Sequence, residues 1–371
     1  MATNNLIRDE YPIPPVTIPE ESSTWIKFHH PAYTARTSVF LRLPRVDLVS
    51  QRDGESGPKR GVHHHTALLA CQLIANNSFG GRLFIDRDGR DEVQVSLDDI
   101  LLADNYYFIV DTSNPKLRYP IVPSFRDWTF PDKVPASWPE PSTTNGSMLS
   151  ADGRDRCALT NHCMGLKNAH LVPKAEEPWA DREDMEIYGA HPTIHITGTG
   201  TRGKNVLPLR ADIHRCFDSR EFAIVPKREI YDPAVREHSR PRYVVHCLGH
   251  PRDSDEFWSL YHNVPLQYIG HLSKEALLTR FAWTVFLGVR FFLLKGQTRS
   301  IVRCLTDKEE QRAEEMEGAA LRDLYRGGGS REASATSSPW RERKRRRVGE
   351  GDGDSDTEEE WRGTQDGESG Y

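Results

Sequence analysis

The chain has 371 residues, 37% hydrophobic and 28% charged, enough for two domains, and its formal charge of −5 hides two unlike parts. Residues 306–371 hold 12 Lys/Arg against 18 Asp/Glu, so the remainder is near neutral at +1 and shows no bulk positive field for a polyanionic partner. The start lacks the apolar core of a signal peptide, and six cysteines without a disulfide rhythm point to free thiols in a reducing interior.

Residues 1–30 are Pro-rich and polar and read as a flexible arm. A small α+β domain of no assigned role follows over 31–119. It has a strand at 38–43, a helix at 66–74, a hairpin of 82–85 with 92–95 about a Gly-containing turn, and a strand at 106–110. His63, His64 and His65 read as the polar start of that helix. Residues 120–150 form a connector dense in Pro and Trp. Its prolines block regular structure, while its aromatics point to a segment laid against a surface.

The second domain spans 151–305, with a strand at 242–248 and a helix opening at Ser273 as N-cap. Leu277, Leu278, Phe281, Ala282, Val285 and Phe286 recur there at helical spacing. The most apolar stretch, 281–294, is too short to span a bilayer and contains Arg290, so it reads as a buried helix and no membrane is expected as a partner. From Thr306 charged helix-formers pass into Gly327-Gly328-Gly329 and low-complexity sequence, so 306–371 reads as a charged, largely disordered tail.

The chemistry concentrates in 157–227. Hydrolysing a phosphodiester needs an activated water, a cation beside the developing charge and stabilisation of the leaving oxygen. His170 closes a short apolar strand and suits the role of general base. Asn205 could orient that ring or ligate an ion through its amide oxygen. His214 and Asp218 are i, i+4 on an expected helix, so both project from one face and could grip one divalent ion. Zn or Mn suits the imidazole, and Mg the oxygen ligands.

Three blocks stand in order: Ala169-His170-Leu171-Val172-Pro173-Lys174; Asn205, Leu209, Arg210, Asp212, His214, Phe217 and Asp218; and Phe222, Ile224, Val225, Pro226 and Lys227. Together they resemble the HNH endonuclease family, and most closely its fungal members. The resemblance covers roughly 150–295. It implies an α+β architecture with a ββα-metal (HNH) nuclease-like domain, metal-dependent hydrolysis of DNA and one divalent ion. Carried over, His170 matches the general base, Asn205 the middle Asn and His214 the metal-binding His. Asp218 falls where colicin-type members have a second helical ligand. Many members place an Asp or His ligand just before the base, where this chain has Ala169. That departure keeps open a second reading, a catalytically inactive HNH fold that binds nucleic acid or protein.

The run Gly198-Thr199-Gly200-Thr201-Arg202-Gly203-Lys204-Asn205 imitates a nucleotide-binding loop. However, Asn205 replaces the Mg-binding hydroxyl and Pro208 interrupts the helix that should follow. Arg202, Lys204 and Arg210 are instead candidates for DNA phosphate contacts. Cys157 and Cys163 lack the spacing of a zinc knuckle and read as buried thiols. Arg343, Lys344, Arg345, Arg346 and Arg347 form a compact basic cluster suited to an import receptor, which places the protein in the nucleus.

Overall fold

The computed structural model describes residues 24–49, 59–142, 155–193, 203–228, 240–249, 251–305 and 310–325. Arg202 and the basic cluster at 343–347 lie outside them, as does the expected arm up to residue 23. The described residues belong to one compact unit.

Its first part contains β1 (Trp25–His29), β2 (Val39–Pro44), β3 (Asp47–Leu48), β4 (Arg60–His63), helix α1 (His64–Ile74), β5 (Arg82–Phe84), β6 (Ile100–Leu101) and β7 (Asn105–Ile109). One sheet has the order β2-β1-β7-β5, with β1 antiparallel to β2 and parallel to β7; the other has the order β3-β4-β6. Alternation explains β1, because Ile26 and Phe28 fall on one face and both are fully buried. The hairpin expected at 82–95 is reduced to a bridge between Phe84 and Glu92. The Asp86 carboxylate accepts from the N–H groups of Asp88, Arg90 and Asp91, which closes the turn. The long partner of β5 is β7. Cross-strand partnership overrides the local turn signal.

The Pro/Trp segment is folded into the core. Trp128 stacks on Trp179 at 5.6 Å between ring centroids. Trp128 Nε1 donates to Asn77 Oδ1 (2.8 Å), and Trp179 Nε1 donates to the Trp128 carbonyl (2.7 Å). Both indoles thereby bury their area without orphaning an N–H.

The second part runs β8 (Leu166–His170), α2 (Glu177–Arg182), β9 (Val206–Arg210), α3 (Ala211–Asp218), β10 (Phe222–Lys227), β11 (Arg242–Cys247), α4 (Pro251–Tyr261) and α5 (Lys274–Val285). Then come α6 (Arg290–Leu293), β12 (Arg299–Leu305), β13 (Glu310–Met316) and α7 (Gly318–Tyr325). β8 pairs with β9 and β10 with β11, both antiparallel. Ser273 caps α5, its hydroxyl accepting from the Ala276 N–H at 3.1 Å. The helical run Lys274–Leu293 is long and apolar enough to cross a membrane, yet 78% of its most apolar window is buried in the protein, so here it serves as a core helix.

The boundary expected at Thr306 is corrected. Residues 310–316 are the strand β13, in register with β12 from Arg299↔Met316 to Leu305↔Glu310, and α7 buries Leu321 completely. Glu- and Arg-rich sequence reads as helix by propensity, but pairing with an adjacent strand decides its state.

Several histidines are folded into this interior. His30 stacks on Tyr119 at 3.8 Å, and burial pushes its pKa down to about 3. Burial likewise drives His63 and His246 well below the ordinary value. The unfolded chain therefore binds more protons below pH ~6.5, and the stability these neutral rings support is complete above that pH. It is lost as pH falls toward the folded values, at about 1.4 kcal/mol per pH unit for each ring. Thermal melts should thus show a midpoint that is flat above pH ~6.5 and falls steeply from there to pH ~4. A midpoint unchanged across that window would contradict the buried neutral rings.

Candidate functional site

β8 ends at His170, which lies opposite Val206, the first residue of β9. Asn205 directly precedes β9 and is almost wholly buried. Its Oδ1 accepts from the Val172 N–H (2.7 Å), its Nδ2 donates to the Val172 carbonyl (3.2 Å), and its own carbonyl accepts from the Leu171 N–H (2.9 Å). These bonds fix the backbone that leaves His170. The Asn205 amide thereby clamps the start of β9 to the backbone just after His170, with one bond at each of its polar atoms. It acts on His170 through the chain.

Ala169 is fully buried and packs in the core, while His170 is half-buried. Strand alternation explains this, because successive side chains take opposite faces. The position before His170 contributes packing here.

α3 starts directly after β9, and the Ala211 N–H donates to the Gly165 carbonyl (2.9 Å), seating the helix over the start of β8. Ile213 and Phe217 form its buried face. His214 and Asp218 share another face, one turn apart, with Nε2 and Oδ2 separated by 3.4 Å. Burial lowers the His214 pKa, Asp218 opposes this, and Arg280 and Lys167 push it further down. An imidazole nitrogen thus stands beside a carboxylate oxygen on one helix face. That donor set fits a divalent cation.

Among the other expected residues, Lys204 is exposed on the loop before β9. Arg210 is held by Asp212 through two hydrogen bonds, of 2.7 and 2.6 Å, so its charge is already paired. Cys157 is buried, its sulfur accepting from the Arg210 N–H at 3.3 Å, and all six cysteines are free thiols.

A second polar cluster was not legible in the sequence. Asp47 is completely buried, and its Oδ1 accepts from Lys227 Nζ (2.7 Å), His262 Nε2 (2.9 Å) and Asn263 Nδ2 (3.0 Å). Its Oδ2 accepts from the His63 N–H (2.8 Å). His63 thus closes β4 in the interior, and His64 and His65 open α1 as expected. Among the described residues, Asp47, His246 and His262 have ligand atoms within 4.8 Å of one another, the spacing of a possible metal site. Two features oppose an ion there. Lys227 supplies the neutralising charge. His262 Nδ1 accepts from the Cys247 N–H (3.2 Å), so its Nε2 carries the proton given to Asp47. Burial would raise the Asp47 pKa, but Lys227 and His262 outweigh it and hold the carboxyl well below the usual range. The cluster is a buried, ionised junction.

Residues 157–225, from the segment before β8 into β10, match the family model described as HNH endonuclease. Neither a curated protein nor a solved structure matches the chain. Over these residues the chain is similar to HNH domains, which are nuclease domains that generally use a divalent metal.

Proposed function

We propose that this protein is a metal-dependent HNH-type endonuclease that hydrolyses DNA phosphodiester bonds. The observation that carries the reading is the ligand pair His214–Asp218 on α3, docked on the β8–β9 hairpin whose first strand ends in His170. His214 Nε2 and an Asp218 oxygen would hold one ion, Mg, Mn or Zn. When bound, the ion supplies positive charge to the phosphate and the leaving oxygen. His170 takes a proton from the attacking water as the new P–O bond forms. The P–O bond to the leaving strand breaks, and that oxygen is protonated from solvent. Asn205 keeps His170 at the strand end by locking Leu171 and Val172. Lys204, being exposed, can reach phosphate, whereas Arg210 would first have to leave Asp212.

The test is supercoiled plasmid incubated with purified protein in Mg or Mn, against chelator and against the His214→Ala/Asp218→Ala double variant. Nicked circles with metal alone, lost in the variant, are expected. A second reading is favoured by buried Ala169 and committed Asn205, which leave two protein ligands on α3: an inactive HNH fold that binds nucleic acid. Retarded but uncut DNA in every metal would select it. The basic cluster at 343–347 extends the proposal to import and a nuclear location. A fluorescent fusion that stays nuclear after those five residues become alanine would overturn that part.

A further inference from the structure

Arg280, on α5, is fully buried, and among the described residues no acidic side chain is hydrogen-bonded to it. Its guanidinium donates through Nη2 to the Phe217 carbonyl in the last turn of α3, and reaches the His170 carbonyl through Nη1 over a long 3.5 Å. It lies 3.5 Å from the Phe217 ring centroid and 4.5 Å from that of Trp283. Burying a cation is unfavourable unless its surroundings supply negative potential. Here that potential comes from the carbonyl end of α3, two aromatic faces and the nearby Asp218 carboxylate. Burial lowers the Arg280 pKa to about 9, so the group remains charged at neutral pH.

Trp283 sits one turn further along the same helix and repeats the connection. Its Nε1 donates to Glu176 Oε1 (3.3 Å), in the 3-10 turn shortly after His170, and the Arg220 guanidinium packs 3.5 Å from its ring centroid just beyond α3. α5 thereby holds both the chain leaving His170 and the end of the helix bearing His214 and Asp218. The hairpin and α3 meet at their near end through Ala211 and Gly165; Arg280 joins them at the far end.

We infer that Arg280 is a positioning residue, which sets the strand-end His170 against the His214–Asp218 face of α3 by bonding to one backbone carbonyl of each element. The inference rests on the nuclease reading for its effect on rate, but its effect on the backbone does not. A pure phosphate contact would be exposed, and Arg280 is not. A pure packing residue could be apolar, whereas this side chain is placed so that its donors reach two carbonyls.

The experiment compares full-length wild type, Arg280→Lys and Arg280→Met. Hydrogen exchange is read on peptides covering 166–173, 211–220 and, as a control, β10 and β11. Mn affinity is read by electron paramagnetic resonance, and plasmid nicking gives kcat and KM. In Arg280→Met, exchange should rise at 166–173 and 211–220 but not at β10 or β11. kcat should fall by about tenfold to a hundredfold, the usual effect of misplacing reacting groups. Mn affinity and KM should stay within about threefold, because both ligands remain on α3. Arg280→Lys, which keeps the charge but not the fork that reaches two carbonyls, should recover part of kcat. Unchanged exchange at the two segments would overturn the inference, and so would exchange raised equally at β10 and β11, which marks a general packing role. A KM effect without a kcat effect would overturn it in favour of DNA contact. If the wild type nicks nothing, the nuclease reading fails, and the exchange pattern alone decides on Arg280.

Discussion

Replacing His170 with alanine should lower metal-dependent nicking by roughly 10²- to 10⁴-fold, the usual contribution of a positioned acid–base side chain. The fold should survive, because Leu171 and Val172 are buried and Asn205 holds both backbone groups of Val172 whatever side chain precedes them. Mn binding should survive as well, since the ligand pair belongs to α3. The combination separates a base from a ligand: lost nicking with retained Mn marks the base, and loss of both would make His170 part of the ion's shell. Nicking at the wild-type rate would remove His170 from the reaction.

Replacing Asp47 with alanine is expected to be the most destabilising single change outside the site. Lys227 is 2% and Asp47 0% exposed at the side chain, so the alanine leaves a buried ammonium without its counter-charge. Breaking a buried pair from one side costs about 3–5 kcal/mol, a large share of the ~5–15 kcal/mol that holds a typical domain. The His63 N–H and the donors of His262 and Asn263 lose their acceptor as well. Asp47→Leu combined with Lys227→Met removes both charges and should recover much of the loss, because a well-packed apolar pair often equals a buried ionic one. Urea unfolding of wild type, single and double variants measures this. A double variant no more stable than Asp47→Ala would argue that the hydrogen bonds, rather than the charge pair, carry the junction.

What could be read from the sequence was local. The i, i+4 relation of His214 and Asp218 depends on four residues of helix, and the 3.4 Å separation follows from it. The strand ending at His170 and the cap at Ser273 are likewise short-range signals. The contact of Asn205 with Val172 is not legible locally, because its partner is 33 residues away and is set by the register of β8 on β9. Asp47 meets Lys227 and His262 across 180 and 215 residues. No periodicity announces such a meeting. Glu310–Met316 was misread for a related reason, its composition favouring helix while β12 supplied a strand edge.

The Asp47 junction also bears on how this protein can be taken apart. The matched segment 157–225 looks like a portable cassette, but Lys227, two residues beyond it, takes its counter-ion from β3 in the first part of the chain. A fragment that starts after the Pro/Trp segment would inherit a lysine designed for the interior and no acid to meet it. It would also lose the indole on which Trp179 stacks. Expressing residues from 151 onward alone therefore leaves Lys227 without the buried counter-charge it meets in the whole chain. Removing residues 24–49 removes Asp47, so a fragment built without them has to change position 227 at the same time.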